Sequence, residues 1–341
     1  MVKKILKYVV PLIITVGLCY LLFSTVNFSE MVQIIRNECN FWWIALAMLI
    51  SIFSHVFRAM RWRIQLDALN IHAPLMPLVY SIFGTYAVNL VFPRLGEVWR
   101  CGYIAERQQA QFTTVFGSMV ADRLADTITV ATLTLITFIL ASGQLMSYIG
   151  QNPGAIDGVV NLVASPWLWV SLGALVLGLW WFFTSSTHNG VVLKIRKWVK
   201  DLWEGFAVVA KMPGIGRWLI LTVCIWGCYF FQLYVAFFAF PFTTDVVANH
   251  GMLAVLVCFV LSSIAMGVPS NGGIGPWQYA IIFGLAFYIP AGVDKALYTA
   301  QSTAFANLVL GSQTLLIIAL GLWTFIYIAL SKKKLKKSTT K

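Results

Sequence analysis

Six apolar windows limit what this chain can fold into. Ile5–Val26, Phe41–Phe57, Val130–Ala141 with its upstream extension from Thr114, Trp167–Thr184, Trp218–Phe240 and Ala304–Leu330 read as membrane crossings. A helix of about 20 apolar residues spans a hydrocarbon core of about 30 Å. Charged residues make up 11% of the chain and hydrophobic ones 60%, a balance that excludes a soluble globular domain. No polar stretch is long enough for a separate soluble unit, so residues 1–341 read as one all-helical membrane domain. The start, MVKKILKYVVPLIITVGLCYLLF, has the basic-then-apolar order of a signal peptide. Its apolar run is too long for one and no small-x-small cleavage site follows, so a retained first helix is expected.

The net charge of +12 would suit a nucleic-acid partner, but the positions of the charges point elsewhere. Basic residues cluster at Lys3–Lys7, Arg58–Arg63, Arg94–Arg107, Lys194–Arg217 and Lys332–Lys341, as they do at the cytoplasmic flanks of membrane helices. No nucleic-acid partner is expected. The clusters also test the topology. If the apolar run Leu75–Phe92 crossed fully, Arg94, Arg100 and Arg107 would lie outside and every later loop would invert. If it enters and turns back, every basic residue except Arg36, Lys295 and the intramembrane Arg123 falls on the cytoplasmic side, with both termini. The re-entrant reading is preferred.

The same reasoning makes Met252–Val268 and Trp277–Ile289 a second hairpin, re-entrant or crossing, approached from the opposite face. A short external loop with Asp245 precedes it. Two crossings, a broken hairpin and one more crossing thus recur, inverted, in residues 5–141 and 167–330, ahead of a basic tail at 331–341. Many transporters share this inverted-repeat layout, with the substrate at mid-membrane between discontinuous helices. Here it rests on topology and polar breaks, since no residue-level identity joins the halves.

The second break, GVPSNGGIGPWQYAI, carries two prolines and four glycines inside an apolar segment. Irregular backbone at membrane depth persists only where protein buries it or water reaches it. Ser270 or Asn271 is expected to cap the following helix, with Pro276 in its first turn. That helix would aim free N–H groups at whatever occupies Asn271, Gly272, Gly273, Gly275 and Gln278; a plain Gly/Pro loop is the alternative. The first break, NLVFPRLGEVWRCGYIAER, ends an apolar run at Pro93 and permits a turn at Gly96. Glu97 and Arg100 are spaced to pair on a helix. Arg94 or Arg100 would donate to a phosphate, unless the segment is a solvated loop.

In SMVADRLADTITVATLTLITF, Asp122 and Asp126 lie one helical turn apart, with Arg123 beside them. Ionisable residues inside a membrane by default mark function. The triplet is either a gate or proton-coupling carboxylate pair, or a structural cluster with Arg58 or Arg61. FRAMRWRIQL reads as a basic, aromatic interfacial collar anchored to anionic lipid, with Arg61 as a possible guide for a headgroup. Val192–Lys211 reads as an amphipathic helix on the cytoplasmic surface. The cysteines are mostly buried in apolar helices, with Cys39 in an external loop, and the four histidines are scattered. No metal site, cofactor, nucleotide loop or serine nucleophile elbow is expected.

Together, RAMRW, FPRLGEVWR, DRLAD and PSNGGIGPWQ stand in an order that resembles the flippase-like membrane region of lysylphosphatidylglycerol synthases, over about residues 5–330. The resemblance implies a bacterial inner-membrane protein that moves phospholipid between leaflets, without the soluble aminoacyl-transfer domain of the two-part synthases. It matches Arg61, Arg94, Glu97, Arg100, Asp122, Arg123 and Asp126 to the polar motif positions. Where that family commonly has a glutamate after the late glycines, this chain has Gln278. The expected partner is a membrane phospholipid with an anionic or aminoacylated headgroup, and a homodimer is compatible with the sequence. The enzyme alternative, a membrane-embedded lipid-modifying transferase, would place acid–base chemistry on Glu97 or Asp122.

Overall fold

The computed structural model describes residues 28–151, 166–184, 212–268 and 270–338, with a few isolated positions between 152 and 211. The expected first span Ile5–Val26, and the surface helix Val192–Lys211 apart from Val192 and Leu193, lie outside the described residues. Among those described, every regular element is a helix. They are α1 (Phe28–Glu38), α2 (Phe41–Ala68), α3 (Leu75–Val91), α4 (Leu95–Gln108), α5 (Phe112–Leu140), α6 (Ser142–Gln151), α7 (Pro166–Thr184), α8 (Ile215–Ala236), α9 (Pro241–Ala265), α10 (Pro276–Ala286) and α11 (Lys295–Ser338). Five helices or helix stretches among them are long and apolar enough to cross a membrane: Phe41–Ala68, Phe112–Leu140, Ile215–Ala239, Pro241–Ala265 and Lys295–Leu330. The chain is a multi-pass membrane protein.

The long helices begin and face as their residues dictate. Asn40 caps α2, its side-chain oxygen accepting from the Trp42 amide at 3.1 Å. On α5, the hydroxyls of Thr127, Thr129, Thr132 and Thr134 each donate to the carbonyl four residues back, which hides them from lipid. Its far end, Leu135–Leu140, turns large apolar side chains outward, as a lipid-facing surface does.

One expectation is overturned. The external loop with Asp245 is helical: Pro241 starts α9, and the segment joins the next arm across a break at Gly251 (φ 66°, ψ −161°). Pro241 suits the first turn of α9, where its missing N–H costs nothing.

Two hairpins, α3–α4 and α9–α10, are bound crosswise by the other helices. α3 packs on α2 and on α11, while α9 packs on α8 and on α5. The second arms also find different partners, α4 on α5 and α10 on α11. The most extensive packing joins α2 to α8. One apolar core surrounds Trp62, Leu66, Leu78, Ile82 and Ile104 under the first hairpin; another surrounds Phe237, Phe240, Cys258, Ile281 and Phe305 under the second.

Candidate functional site

A polar stripe runs along the inner side of α2. Ser51, Ser54, His55, Arg58, Arg61 and Gln65 recur at three- and four-residue spacing and are all buried. Arg58 and Arg61 are therefore not an interfacial collar; of that cluster only Arg63 is exposed, near Asp67 at 3.9 Å. α5 meets the stripe with Asp122 and Asp126, one turn apart on its buried side. Arg61 Nη2 lies 2.6 Å from Asp122 Oδ1 and 2.8 Å from Asp126 Oδ1. Arg58 Nη1 lies 2.7 Å from Asp126 Oδ2 and 3.4 Å from Asp122 Oδ2. From α8, Thr222 accepts from Arg61 at 3.2 Å and the Tyr229 hydroxyl accepts from Arg58 at 3.2 Å. The structural cluster, rather than a free carboxylate pair, is what forms. Charges buried this completely in protein persist through pairing.

The first break is wired into this cluster. The turn falls on Arg94, a non-glycine residue in the left-handed region (φ 65°), and not on Gly96. Gly96 instead lets α4 press against α3: a Cβ there would collide with the Thr85 carbonyl and sit 2.8 Å from Asn89 Oδ1. Asn89 fastens the break from both sides. Its oxygen accepts from the Gly96 amide at 2.8 Å, and its nitrogen donates to Glu97 Oε2 at 3.2 Å. Glu97 does not pair with Arg100. It takes Arg123 at 2.9 Å, which bridges on toward Asp126 at 3.8 Å. Arg100 is fully buried, its guanidinium 4.5 Å over the Trp62 ring and 3.7 Å from Asp122 Oδ2.

The second break is built from amides and glycines. Gly272, Gly273 and Gly275 hold φ of 64°, 85° and 96°, conformations that a side chain resists. Pro276 opens α10 as expected, but neither Ser270 nor Asn271 caps it. Gln278 reaches back to accept from the Gly275 amide at 2.8 Å, and donates to Asn307 Oδ1 at 2.5 Å. Asn271 is buried and its side-chain oxygen has no partner among the described residues.

The two breaks touch. Arg94 donates to the Gly267 carbonyl at 2.9 Å and to the Met266 carbonyl at 3.3 Å, at the C-terminal end of α9. Cations are favoured at that end of a helix. Beside this contact, Leu90 lies against Gly272, where a Cβ would stand 2.5 Å from its Cδ2.

A model of the family described as the lysylphosphatidylglycerol synthase TM region matches residues 8–321. The chain belongs to this family. No curated protein and no solved structure shows a match. Membership ties this multi-pass protein to lipid handling. The family match spans both breaks and the ion cluster, so these features lie within the part that defines it.

Of the residues picked from sequence, this family member brings Arg61, Glu97, Arg100, Asp122, Arg123 and Asp126 into one cluster. Asn271, Gly272, Gly273, Gly275 and Gln278 gather at the other break, with Arg94 between the two. Sequence reasoning missed Asn89, Thr222, Tyr229 and Asn307; of its two readings of Arg58, the structural cluster with Asp122 and Asp126 holds and the interfacial collar does not. The polar stripe of α2 was the available signal for Arg58; Thr222 and Tyr229 carry none, because their relevance depends on how α8 docks. No group of three or more His, Cys, Asp or Glu side chains able to hold a metal ion occurs among the described residues. Outside the spans, burial pushes the Cys39 thiol up to about 11, which makes it a poor nucleophile.

Proposed function

We propose that this protein moves a phospholipid or a related lipid between the two leaflets of a bacterial cytoplasmic membrane. The headgroup travels through the polar interior while the acyl tails stay in lipid. The observation that carries the reading is the meeting of two helix breaks, about 170 residues apart in sequence, beside a buried ion cluster. Non-helical backbone inside a bilayer needs protein or water around it, and substrate paths are where it is found. Helix length adds support. α10 has 11 residues and reaches only roughly 16 Å at 1.5 Å per residue, and α4 with 14 residues reaches roughly 21 Å. Hairpins that enter from opposite faces and turn back account for both, with the two termini cytoplasmic. The crosswise packing of α3 on α11 and α5 on α9 fits an inverted repeat of residues 5–141 and 167–330. A homodimer is the proposed assembly.

The test is leaflet exchange by purified protein in vesicles, followed with a fluorescent lipid that a membrane-impermeant reductant quenches. Exchange well above that of protein-free vesicles supports the reading, and none with any headgroup overturns it. The transferase alternative finds less support: both Glu97 oxygens already accept hydrogen bonds within the buried network, from Arg123 and from Asn89. Glu97→Gln separates the classes. Translocation predicts lower exchange and no change in lipid chemistry, whereas a transferase would lose a modified lipid visible by mass spectrometry.

A further inference from the structure

The ion cluster holds four cations against three carboxylates. Arg58, Arg61, Arg100 and Arg123 face Glu97, Asp122 and Asp126. Three of the four guanidiniums make hydrogen bonds to those carboxylates. Arg100 makes none: Nε, Nη1 and Nη2 all lack a hydrogen-bond partner among the described residues, although the side chain is 0% exposed. Its nearest carboxylate oxygen, on Asp122, is already engaged by Arg58 and stands 3.7 Å away. A guanidinium offers five N–H donors in a fixed fork, and leaving them empty in an apolar setting is costly. The ring of Trp62 covers one face of the group, which leaves the in-plane donors as the unmet ones. One turn beyond Arg61 on the same helix, Gln65 is sealed as well, with neither amide atom partnered.

We propose that Arg100 anchors a subsite for the phosphate of a lipid headgroup, and that the substrate is a net-anionic lipid without an added amine. The proposal rests on the translocation reading for its use, but on Arg100 for its chemistry. A tetrahedral oxyanion presents two oxygens to the guanidinium fork, the geometry that makes arginine–phosphate pairs strong. An aminoacylated headgroup would further require an acceptor for its ammonium. Glu97, Asp122 and Asp126 are all committed to guanidiniums, and the second break is neutral, with Asn271 and Gln278 as amides. The unpartnered acceptor there, Asn271 Oδ1, suits a hydroxyl such as that of a glycerol headgroup.

The experiment uses the full chain in vesicles and in detergent. Fluorescent phosphatidylglycerol, its lysyl ester and phosphatidylethanolamine are compared for exchange in wild type, Arg100→Gln and Arg100→Lys. Phosphatidylglycerol is expected to exchange fastest, with a loss of roughly tenfold to a hundredfold in Arg100→Gln, as for removal of charge-assisted hydrogen bonds, and a smaller loss in Arg100→Lys. In detergent, dihexanoyl-phosphatidylglycerol is expected to raise the unfolding temperature of wild type and not of Arg100→Gln. An equal rise with inorganic phosphate would assign the subsite to a free anion and overturn the headgroup assignment. A lysyl ester exchanged as fast as phosphatidylglycerol, or an Arg100→Gln protein with unchanged rates, would overturn the proposal while leaving translocation standing. No exchange of any lipid, with an Arg100-dependent temperature shift retained, would remove translocation and keep the subsite. Should Arg100→Gln not fold, the wild-type headgroup order and Arg100→Lys decide.

Discussion

At Phe92–Leu95 the chain reverses on a single charged residue, Arg94, whose backbone is left-handed. At 271–275 it reverses on three left-handed glycines with no charge at all. The first break is fastened by Asn89 and wired through Glu97 and Arg123 into buried ion pairs. The second is fastened by Gln278 and wired through Asn307 to α11. One turn is thus held by electrostatics in a low-dielectric interior and the other by neutral amide bonds. The contrast teaches that the two breaks respond differently to the same perturbation. Losing a partner in the first network strands a charge, whereas losing one in the second strands only a dipole.

That contrast can be broken or sharpened by substitution, with unfolding in detergent as the common measurement. The largest effect is expected from Asp126→Ala, which leaves Arg58 and Arg61 under-compensated and costs about 3–5 kcal/mol. A cost as small as that of an exposed pair would mean that the cluster is hydrated. Next comes Gly96→Ala, at about 1–3 kcal/mol, because its Cβ meets backbone at Thr85 that cannot step aside. Gly272→Ala is expected to cost less, since the tip of Leu90 can rotate and mainly the backbone conformation resists. Asn307→Ala removes the acceptor of the Gln278 amide and is expected to cost about 1–2 kcal/mol, less than the charged counterpart. Arg94→Gly comes last, within about 1 kcal/mol, as relief of the left-handed backbone offsets two lost hydrogen bonds from an exposed side chain. The last variant is expected to accelerate leaflet exchange, because it unties one break from the other.

Much of the frame was legible because the bilayer imposes simple rules. The apolar windows within the described residues became helices, both polar breaks became turns, and Asp122 and Asp126 shared a face as their spacing requires. What was not legible depended on rotation and docking. Arg58 and Arg61 read either as lipid anchors or as partners of Asp122 and Asp126, and only the orientation of α2, which turns them inward, decides for the second. Glu97 has Arg100 within helical reach, yet the closer packing of α5 delivers Arg123 to it. Pro241 and Gly251 punctuate a stretch that reads as loop, while the backbone forms two helical arms, one opened by Pro241 and the two meeting at Gly251. Gln278 was noticed for the charge it lacks, and its position as the clasp of its own turn emerged only in three dimensions.

The crosswise packing of the helices also orders events in time. α3 seats against α11, which is made near the end of the chain, and α5 seats against α9. A ribosome feeding this protein into a membrane therefore releases the first hairpin long before its seat exists. Until α11 emerges, that hairpin lacks one of its seats, and its charges depend on α2, α5 and, once made, α8 and α9. Expressed alone, the N-terminal half would be an unfinished fold, and splitting the chain should succeed only when both fragments are inserted together.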